Sequence, residues 1–543
     1  MRLAGRALTL TGVIILLTVS CNAQRPVHPG VNKFMIPMRD GVKLATLVEL
    51  PDGDGPWPVL LSRTPYNKET SLERGAFTRY GVVRVVQDLR GRFESEGVDS
   101  VFLTDGWGEA QDGYDTIEWI AAQPWCNGKI GMTGGSALGI TQYLAAGAGP
   151  EALVCCHVAV GAPSLYHHAA FPGGAFGKAL VEDWTRDNNF SEHAIKNALN
   201  NPVYNDVWRC VDLLARASQV TVPMMHMGGW YDVFAQGTLD AFDALQHKGG
   251  EGARGQQRLV IGPWTHGMQP TGDLNFPASA HKNPANELSA PWLAHYLLGL
   301  DSPILEEQLP VHYYVMGACG EPGAPGNEWR NVADWPEPST PVPVYFHESG
   351  RLALEAPEDP SASRMFRYDP ANPVPTVGGC NLTIPAGPKD QRPVESRPDV
   401  LVFTSDPLPE PVEVTGRLKA KLFVSSDCPD TDFTVKLTDV YPDGRSMLVA
   451  DGILRMRFRE GFDREVFMEP GGLYEADVDL WSTSLVFNKG HRVRVAVSSS
   501  NAPRFDPNPN TGAGFRANAE TRIAHNTLHV SKAHPSHIIL PVR

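Results

Sequence analysis

The stretch GKIGMTGGSALGITQYLAAGAGP constrains the fold most, because its pattern changes from strand to helix within a few residues. Residues 129–132 predict a strand and residues 138–146 a helix, with Gly134, Gly135 and Ser136 at the junction. A Cβ disfavours the backbone angles of so sharp a reversal, which favours glycine there. The same turn would hold the Ser136 hydroxyl above a sheet, beside helix N-terminal amides, as in a nucleophile elbow. An N-cap serine is the alternative, and partner residues must decide.

Buried strand patterns alternate with helix patterns on both sides of this stretch. The strands are continuously apolar rather than alternating, which predicts a largely parallel sheet with helices on both faces. This α/β pattern covers residues 30–163 and resumes over residues 221–335. The helical, aromatic-rich residues 164–220 lie between the two parts, so we expect them to form a cap inserted into the α/β domain.

The C-terminal part has a different pattern. Prolines cluster near residue 340, and period-two alternation follows, as in Leu418, Ala420, Leu422 and Val424. Alternation of this kind is typical of antiparallel strands that bury one face. The sequence therefore predicts a β-sandwich over residues 340–543, and its length suits a jelly roll.

The N-terminus carries an export signal. Arg2 and Arg6 precede an apolar run over residues 7–19, and small residues surround Cys21 and Ala23. This is the pattern of a secretory signal peptide, here residues 1–23. Cleavage after Ala23 and cleavage before Cys21 with a lipid anchor on that cysteine both fit, so we expect a periplasmic or extracellular protein. No other segment reaches the roughly 18 apolar residues of a membrane span.

Composition excludes several classes of partner. The net charge is −14 and basic runs are absent, which argues against nucleic acid and favours a small-molecule substrate. The cysteines form no CxxC pair, and Cys155 and Cys156 lie in an apolar run that predicts core thiols. His157, His167 and His168 lack metal-ligand spacing with other donors. We therefore predict no metal and no cofactor.

An acid and a histidine follow the serine in the order that an elbow nucleophile requires. MMHMGGWYDVF places Asp232 just beyond a predicted strand, and LVIGPWTHG places His266 just beyond the next. Each residue alone is compatible with a turn or cap and with an ordinary loop histidine. Together, at the carboxyl ends of successive strands, they predict a Ser136, Asp232, His266 catalytic triad.

Seven segments are spread over nearly all of the chain after the signal peptide: SRTPYNK, QDLRGRFESEG, DGYDTIEWIAAQPWCNGKIGMTGGS, GWYDVF, IGPWTHG and, in the tail, VTGRLKAKLF to RMRFRE and DLWSTSLVF to NPNTG. They resemble the cocaine esterase, glutaryl-cephalosporin acylase and X-prolyl dipeptidyl peptidase family. The resemblance implies an α/β-hydrolase domain with an inserted helical cap and a C-terminal jelly-roll β-sandwich. It also implies an oxyanion hole formed by the Ala137 amide and the Tyr66 hydroxyl.

The resemblance also bears on substrate binding. It implies that Phe234 lines the acyl pocket, and Trp230, on the other side of the acid, is a second candidate for contact with substrate. Relatives usually carry a tyrosine after the nucleophile, whereas Ala137 here removes a bulky wall. Val233 and Phe234 follow the acid where relatives specific for α-amino esters carry carboxylates. We therefore expect an open acyl site without local recognition of an α-ammonium group.

A charged segment follows the second predicted strand of the α/β pattern, and its charges are structural rather than catalytic. Asp88, Arg90 and Arg92 in DLRGRFESEG predict a salt-bridged structural loop.

The sequence thus predicts an exported serine hydrolase that cleaves an ester or amide through an acyl-enzyme. An exopeptidase that releases X-Pro dipeptides is the alternative, and a buried carboxylate pair facing the acyl side of Ser136 would favour it. A non-catalytic carbohydrate- or surface-binding protein built on the jelly roll is a third hypothesis, which the Ser, Asp and His set disfavours.

Overall fold

The computed structural model describes residues 30–543. The predicted signal peptide, including Cys21 and Ala23, lies outside the described residues. Within the described part of the chain, no helix is long and apolar enough to cross a membrane.

A ten-stranded mixed sheet organises the N-terminal part. Its strands are β1 Gly30–Pro37, β2 Lys43–Leu50, β3 Trp57–Thr64, β4 Val83–Asp88, β5 Cys126–Gly135, β6 Leu153–Ala159, β7 Met224–Tyr231, β8 Arg258–Thr265, β9 Val311–Val315 and β10 Glu328–Val332. They lie in the order β1-β2-β4-β3-β5-β6-β7-β8-β9-β10. All pairs from β4–β3 to β8–β9 are parallel, as predicted, whereas the pairs at both edges are antiparallel.

Helices cover both faces of this sheet. Met224 of β7 packs in a cluster with the helix residues Ile117 and Leu245, while its neighbour Met225 packs with Trp292. Successive side chains of a strand point to opposite faces, so these clusters lie on the two sides of the sheet. The α-helices within residues 30–543 are α1 Lys68–Ser71, α2 Asp112–Ala121, α3 Ala137–Ala148, α4 Trp184–Asp187, α5 Glu192–Asn200, α6 Asp206–Arg209, α7 Ala235–Lys248, α8 Ala285–Leu293, α9 Pro303–Glu307 and α10 Arg392–Glu395.

The segment between β6 and β7 is helical. It contains α4, α5 and α6 together with the π-helical turns Tyr166–Ala170 and Ala179–Asp183 and the 3-10 turn Leu213–Gln219. Aromatic rings hold these short pieces together, with Tyr166 packed on both Phe171 and Trp208. This segment, in the place predicted for the cap, packs over the carboxyl end of β5.

The C-terminal part consists of two antiparallel sheets. One contains β11 to β13, β15, β18, β20 and β21, and the other contains β14, β16, β17 and β19. The predicted inward positions of β15, from Leu418 to Val424, are buried. The strands are β11 Thr340–Phe346, β12 Leu352–Ala353, β13 Ser363–Tyr368, β14 Leu401–Thr404, β15 Val412–Ser426, β16 Asp432–Val440, β17 Ser446–Arg455, β18 Tyr474–Phe487, β19 Arg492–Ser498, β20 Ala524–His529 and β21 His537–Val542.

Candidate active site

Ser136 occupies a strained turn between β5 and α3. Its φ of 58° and ψ of −123° lie in a region that residues with a Cβ rarely adopt, which is a common feature of functional sites. The turn is crowded, since a Cβ on Gly134 would lie 2.5 Å from the Cβ of Leu138. The Ser136 amide donates to the carbonyl of Ala159 on β6 over 2.9 Å. The predicted strand–turn–helix junction therefore presents the serine above the sheet.

Asp232 and His266 meet Ser136 at the carboxyl ends of β7 and β8. The His266 Nε2 atom lies 2.9 Å from the Ser136 Oγ, and Nδ1 lies 2.7 Å from an Asp232 oxygen. The imidazole thus bridges hydroxyl and carboxylate, which is the geometry of a general base oriented by an acid. The Phe234 ring packs edge-on against the imidazole, with centroids 5.6 Å apart.

The Asp232 carboxylate is completely buried. One oxygen binds His266, whereas no group within residues 30–543 is hydrogen-bonded to the other, Oδ2. A buried carboxylate oxygen without a donor costs free energy of folding. The Asp232 carboxylate therefore lies beside the imidazole at a cost to folding stability.

Tyr66 follows β3, and its hydroxyl also lies at the candidate active site. The oxygen accepts a hydrogen bond from the indole Nε1 of Trp184 over 3.1 Å. Burial raises the pKa of Tyr66, while interactions of the hydroxyl with Trp184, Ser136 and Arg92 act in the opposite direction. Ala137 is the first residue of α3 and is buried, so its amide begins the helix beside the nucleophile.

An apolar cavity of about 90 Å³ opens beside Ser136. Ser136 and Ala137 form one end of it, and no Asp, Glu, Lys or Arg among the described residues lines it. Leu382 reaches it from the C-terminal part of the chain. Its aromatic lining residues are Phe102, Trp184, Trp208 and Phe234.

Phe234 and Trp230, two aromatic residues that flank Asp232 in the sequence, lie in different surroundings. Phe234 lines the cavity, as the resemblance implied. Trp230 does not, and its prediction as a substrate-binding residue is wrong. Its indole donates to the Tyr314 carbonyl over 2.7 Å and its ring packs against Trp335, so it fills the core between the sheet and the β-sandwich.

The cavity contains aromatic residues that the sequence did not single out. Trp184 and Trp208 come from the cap, and Phe102 comes from the loop after β4. The signal for the two tryptophans was the aromatic richness of residues 164–220, and the sequence carried no such signal for Phe102. Aromatic richness does not distinguish a cavity wall from a core.

The DLRGRFESEG loop is structural, as predicted. Asp88 pairs with Lys68 at 3.1 Å, and Arg90 pairs with Asp112 at 2.6 Å. The Arg92 guanidinium lies 3.7 Å from Asp99 and donates to backbone carbonyls of the cap. These contacts hold the loop against its surroundings rather than at the Ser136 hydroxyl.

Residues suited to hold metals are dispersed. Among residues 30–543, no three His, Cys, Asp or Glu side chains are grouped to hold a metal ion. Burial lowers the pKa of His157 and His167 to about 4, so both are neutral core or cap residues at pH 7. Cys155 and Cys156 are buried free thiols in β6.

Comparison with known proteins adds relatives that span the whole chain. The model of the X-Pro dipeptidyl-peptidase (S15 family) matches residues 40–192 and 177–268, and that of the X-Pro dipeptidyl-peptidase C-terminal non-catalytic domain matches residues 306–539. The chain is 35% identical to the cocaine esterase of Rhodococcus sp. (strain MB1 Bresler), over 94% of this chain and 98% of that one.

Two solved structures are similar over their whole length. An aminopeptidase from the marine sediment archaeon Thaumarchaeota archaeon is 26% identical with a TM-score of 0.81, covering 96% of this chain and 98% of that one. An α-amino acid ester hydrolase is 27% identical with a TM-score of 0.79, covering 97% of this chain and 100% of that one.

Proposed function

The chain belongs to the cocaine esterase and X-Pro dipeptidyl-peptidase family of serine hydrolases, and on that premise we propose that it hydrolyses esters with a bulky apolar acyl group. The same relatives confirm the predicted α/β-hydrolase fold with a β-rich C-terminal domain. The observation that carries the proposal is the uncharged, aromatic cavity that begins at Ser136.

The proposed reaction proceeds through an acyl-enzyme. Ser136 attacks the ester carbonyl while His266, 2.9 Å away, takes the hydroxyl proton and then returns it to the leaving alcohol. Asp232 holds the imidazole with Nδ1–H toward the carboxylate. The Ala137 amide and the Tyr66 hydroxyl stabilise the negative oxygen of the tetrahedral intermediate. Water, activated by His266, then releases the acid.

The lining of the cavity supports an ester over an X-Pro peptide. A substrate of a dipeptidyl-peptidase carries an N-terminal ammonium group, which is costly to bury without an acidic partner. None of the described residues that line the cavity is a carboxylate. The buried carboxylate pair that would favour the exopeptidase is therefore missing from this wall. An aryl or branched acyl group fits the aromatic surfaces better.

We also propose that the protein is exported, with residues 1–23 as its signal and with either a free N-terminus after Ala23 or a lipid on Cys21. This part of the proposal rests on the sequence pattern of those residues.

The first test is active-site labelling. We expect a fluorophosphonate to label the protein at Ser136 and the variant Ser136→Ala to lose all labelling, because an activated hydroxyl is needed to attack the phosphorus. Mass spectrometry of the labelled peptide identifies the site. Labelling that persists in Ser136→Ala would refute the assignment of the nucleophile.

The second test compares substrates that share one leaving group. We expect kcat/KM for the p-nitrophenyl ester of benzoic acid to equal or exceed that for the acetyl ester, because the benzoyl ring gains apolar contact in the cavity. X-Pro p-nitroanilides should be poor substrates. Rejection of benzoyl would contradict an open acyl cavity, and a preference for X-Pro anilides would favour the exopeptidase.

A further inference from the structure

Trp184 of the cap contacts both the acyl cavity and the proposed oxyanion hole. Its ring lines the cavity, while its indole Nε1 donates to the Tyr66 hydroxyl oxygen over 3.1 Å. The two rings meet edge-on, with centroids 6.4 Å apart and planes at 86°. Trp184 and Tyr66 lie 118 positions apart in the chain.

The direction of this hydrogen bond restricts where the Tyr66 proton can point. An indole N–H only donates, and a phenol has one proton and lone pairs that accept. With Trp184 donating to the oxygen, the hydroxyl proton must point to another partner. Tyr66 packs against the buried cluster that contains Ala137 and Phe234, two residues that line the cavity beside Ser136.

We infer that Trp184 is a positioning residue that directs the Tyr66 hydroxyl proton toward the oxyanion formed at Ser136. This inference rests on the proposed function, because it requires Tyr66 to be the second oxyanion donor. Preorganised donors are effective because they need no reorientation as charge develops in the transition state. Because Trp184 belongs to the cap, the position of the cap over Ser136 affects the rate of the chemical step.

Neighbouring residues hold the indole in this orientation. Phe102 stacks on it with centroids 6.1 Å apart, and Phe190 packs on it at 4.8 Å. Arg92 lies 4.0 Å over the Phe190 ring and donates to the carbonyls of Asn188 and Asn189 over 2.6 and 2.9 Å. Arg92 of the DLRGRFESEG loop thus anchors the turn that follows α4, and its Nε atom also donates to the carbonyl of Pro65, next to Tyr66, over 3.3 Å.

A double-mutant cycle tests the inference. We expect Trp184→Phe, which keeps an aromatic wall and removes the N–H, to lower kcat about tenfold, the usual worth of one neutral hydrogen bond. Tyr66→Phe should lower kcat about 10² to 10³-fold. In the Tyr66→Phe background, Trp184→Phe should cause no further loss of kcat, because no proton remains to direct. The acetyl ester is the substrate, since it occupies little of the cavity.

Trp208→Phe is the matched control. Trp208 also lines the cavity, but its indole donates to the Asn201 carbonyl over 2.7 Å rather than to Tyr66. Trp208→Phe should raise KM for the benzoyl ester. Its effect on the rate constants should add to the effect of Tyr66→Phe. Should Trp184→Phe not fold, benzothienylalanine at position 184 removes the N–H with nearly the same shape.

Each outcome is informative. Additive losses for Trp184 and Tyr66 would overturn the positioning role while leaving the proposed function intact. Near wild-type kcat in Tyr66→Phe would overturn both the oxyanion role of Tyr66 and the inference. Labelling of Ser136 by fluorophosphonate would still report separately on the nucleophile.

Discussion

At the scale of single residues, Asp232 shows how the site differs from the rest of the interior. Its carboxylate is fully buried, with one oxygen bound to His266 and the other without a hydrogen-bond partner in the part of the chain that the structure describes. Asp432 is equally buried, but Arg455 binds both of its oxygens over 2.9 Å and Asn508 binds one over 2.7 Å. The Asp232 carboxylate orients the imidazole of His266, whereas the Asp432 carboxylate is neutralised by Arg455 within the β-sandwich.

We predict that Asp232→Asn separates activity from stability. Loss of the carboxylate favours the wrong imidazole tautomer, so kcat should fall about 10⁴-fold. The amide removes an under-bonded buried charge, so the melting temperature should be unchanged or higher. Ester hydrolysis and thermal unfolding of the same preparation measure the two effects.

Asp432→Asn is the control for this prediction. It leaves the Arg455 guanidinium buried without its charge partner, and should lower the free energy of unfolding by about 3–5 kcal/mol. A similar loss of stability in Asp232→Asn would show that the Asp232 charge is structural.

At the scale of elements, the junction of β5 and α3 determines both the nucleophile and the width of the acyl cavity. Ser136 lies in the strained turn, and Ala137 follows as the first residue of α3 with its side chain in the cavity wall. Phe234 stands at the N-cap position of α7, makes no side-chain capping hydrogen bond there, and lines the same cavity. The N-terminal residues of α3 and α7 therefore limit the space that an acyl group can occupy.

We predict that Ala137→Tyr narrows the acyl site. The added ring would occupy space next to Ser136, while the backbone amide at position 137 is retained for the oxyanion. The ratio of kcat/KM for benzoyl and acetyl esters should fall at least about tenfold, because lost apolar contact and overlap affect only the larger group. An unchanged ratio in a folded variant would mean that residue 137 does not limit the acyl group.

At the scale of the whole molecule, the hydrolase domain and the β-sandwich share a core. Trp230 and Tyr313 of the sheet belong to the same buried cluster as Val414 and Leu418 of β15. Polar contacts accompany the apolar ones, and one group of them centres on His491. Its ring nitrogens lie 2.8 Å from Asp439 and 3.0 Å from Glu321, which follows β9.

We predict a pH-dependent contribution of His491 to stability. Burial lowers its pKa, but Asp439 and Glu321 outweigh burial and raise the pKa above the usual value of about 6.5. The folded state thus binds the proton more tightly than the unfolded chain. The stabilisation is full below about pH 6.5 and is lost as the pH rises through the raised pKa.

His491→Gln tests this contribution. The difference in melting temperature between wild type and variant should be largest near pH 6, where loss of the buried pair costs on the order of 3 kcal/mol, and should shrink toward pH 9. His525→Gln is the control, because the His525–Asp427 pair is exposed and contributes little. A difference that does not change with pH would show that His491 acts through packing alone.

Features that depend on near neighbours in the chain were determined by the sequence itself. The turn at Ser136, the parallel strands before Asp232 and His266 and the alternation in β15 all follow from local periodicity and from the backbone freedom of glycine. The order of Ser136, Asp232 and His266 was enough to predict that they meet, because parallel strands end at one edge of a sheet.

Only the tertiary structure decided which aromatic residues line the cavity and which fill the core. Trp230 and Phe234 flank Asp232 in the sequence, yet one binds the Tyr314 carbonyl and the other lines the acyl cavity. Trp184 meets Tyr66 only because the cap folds over β3 and β5. Such contacts join residues far apart in the chain. Many positions are equally apolar in the sequence, and side-chain packing, which local periodicity does not report, determines which of them line the cavity.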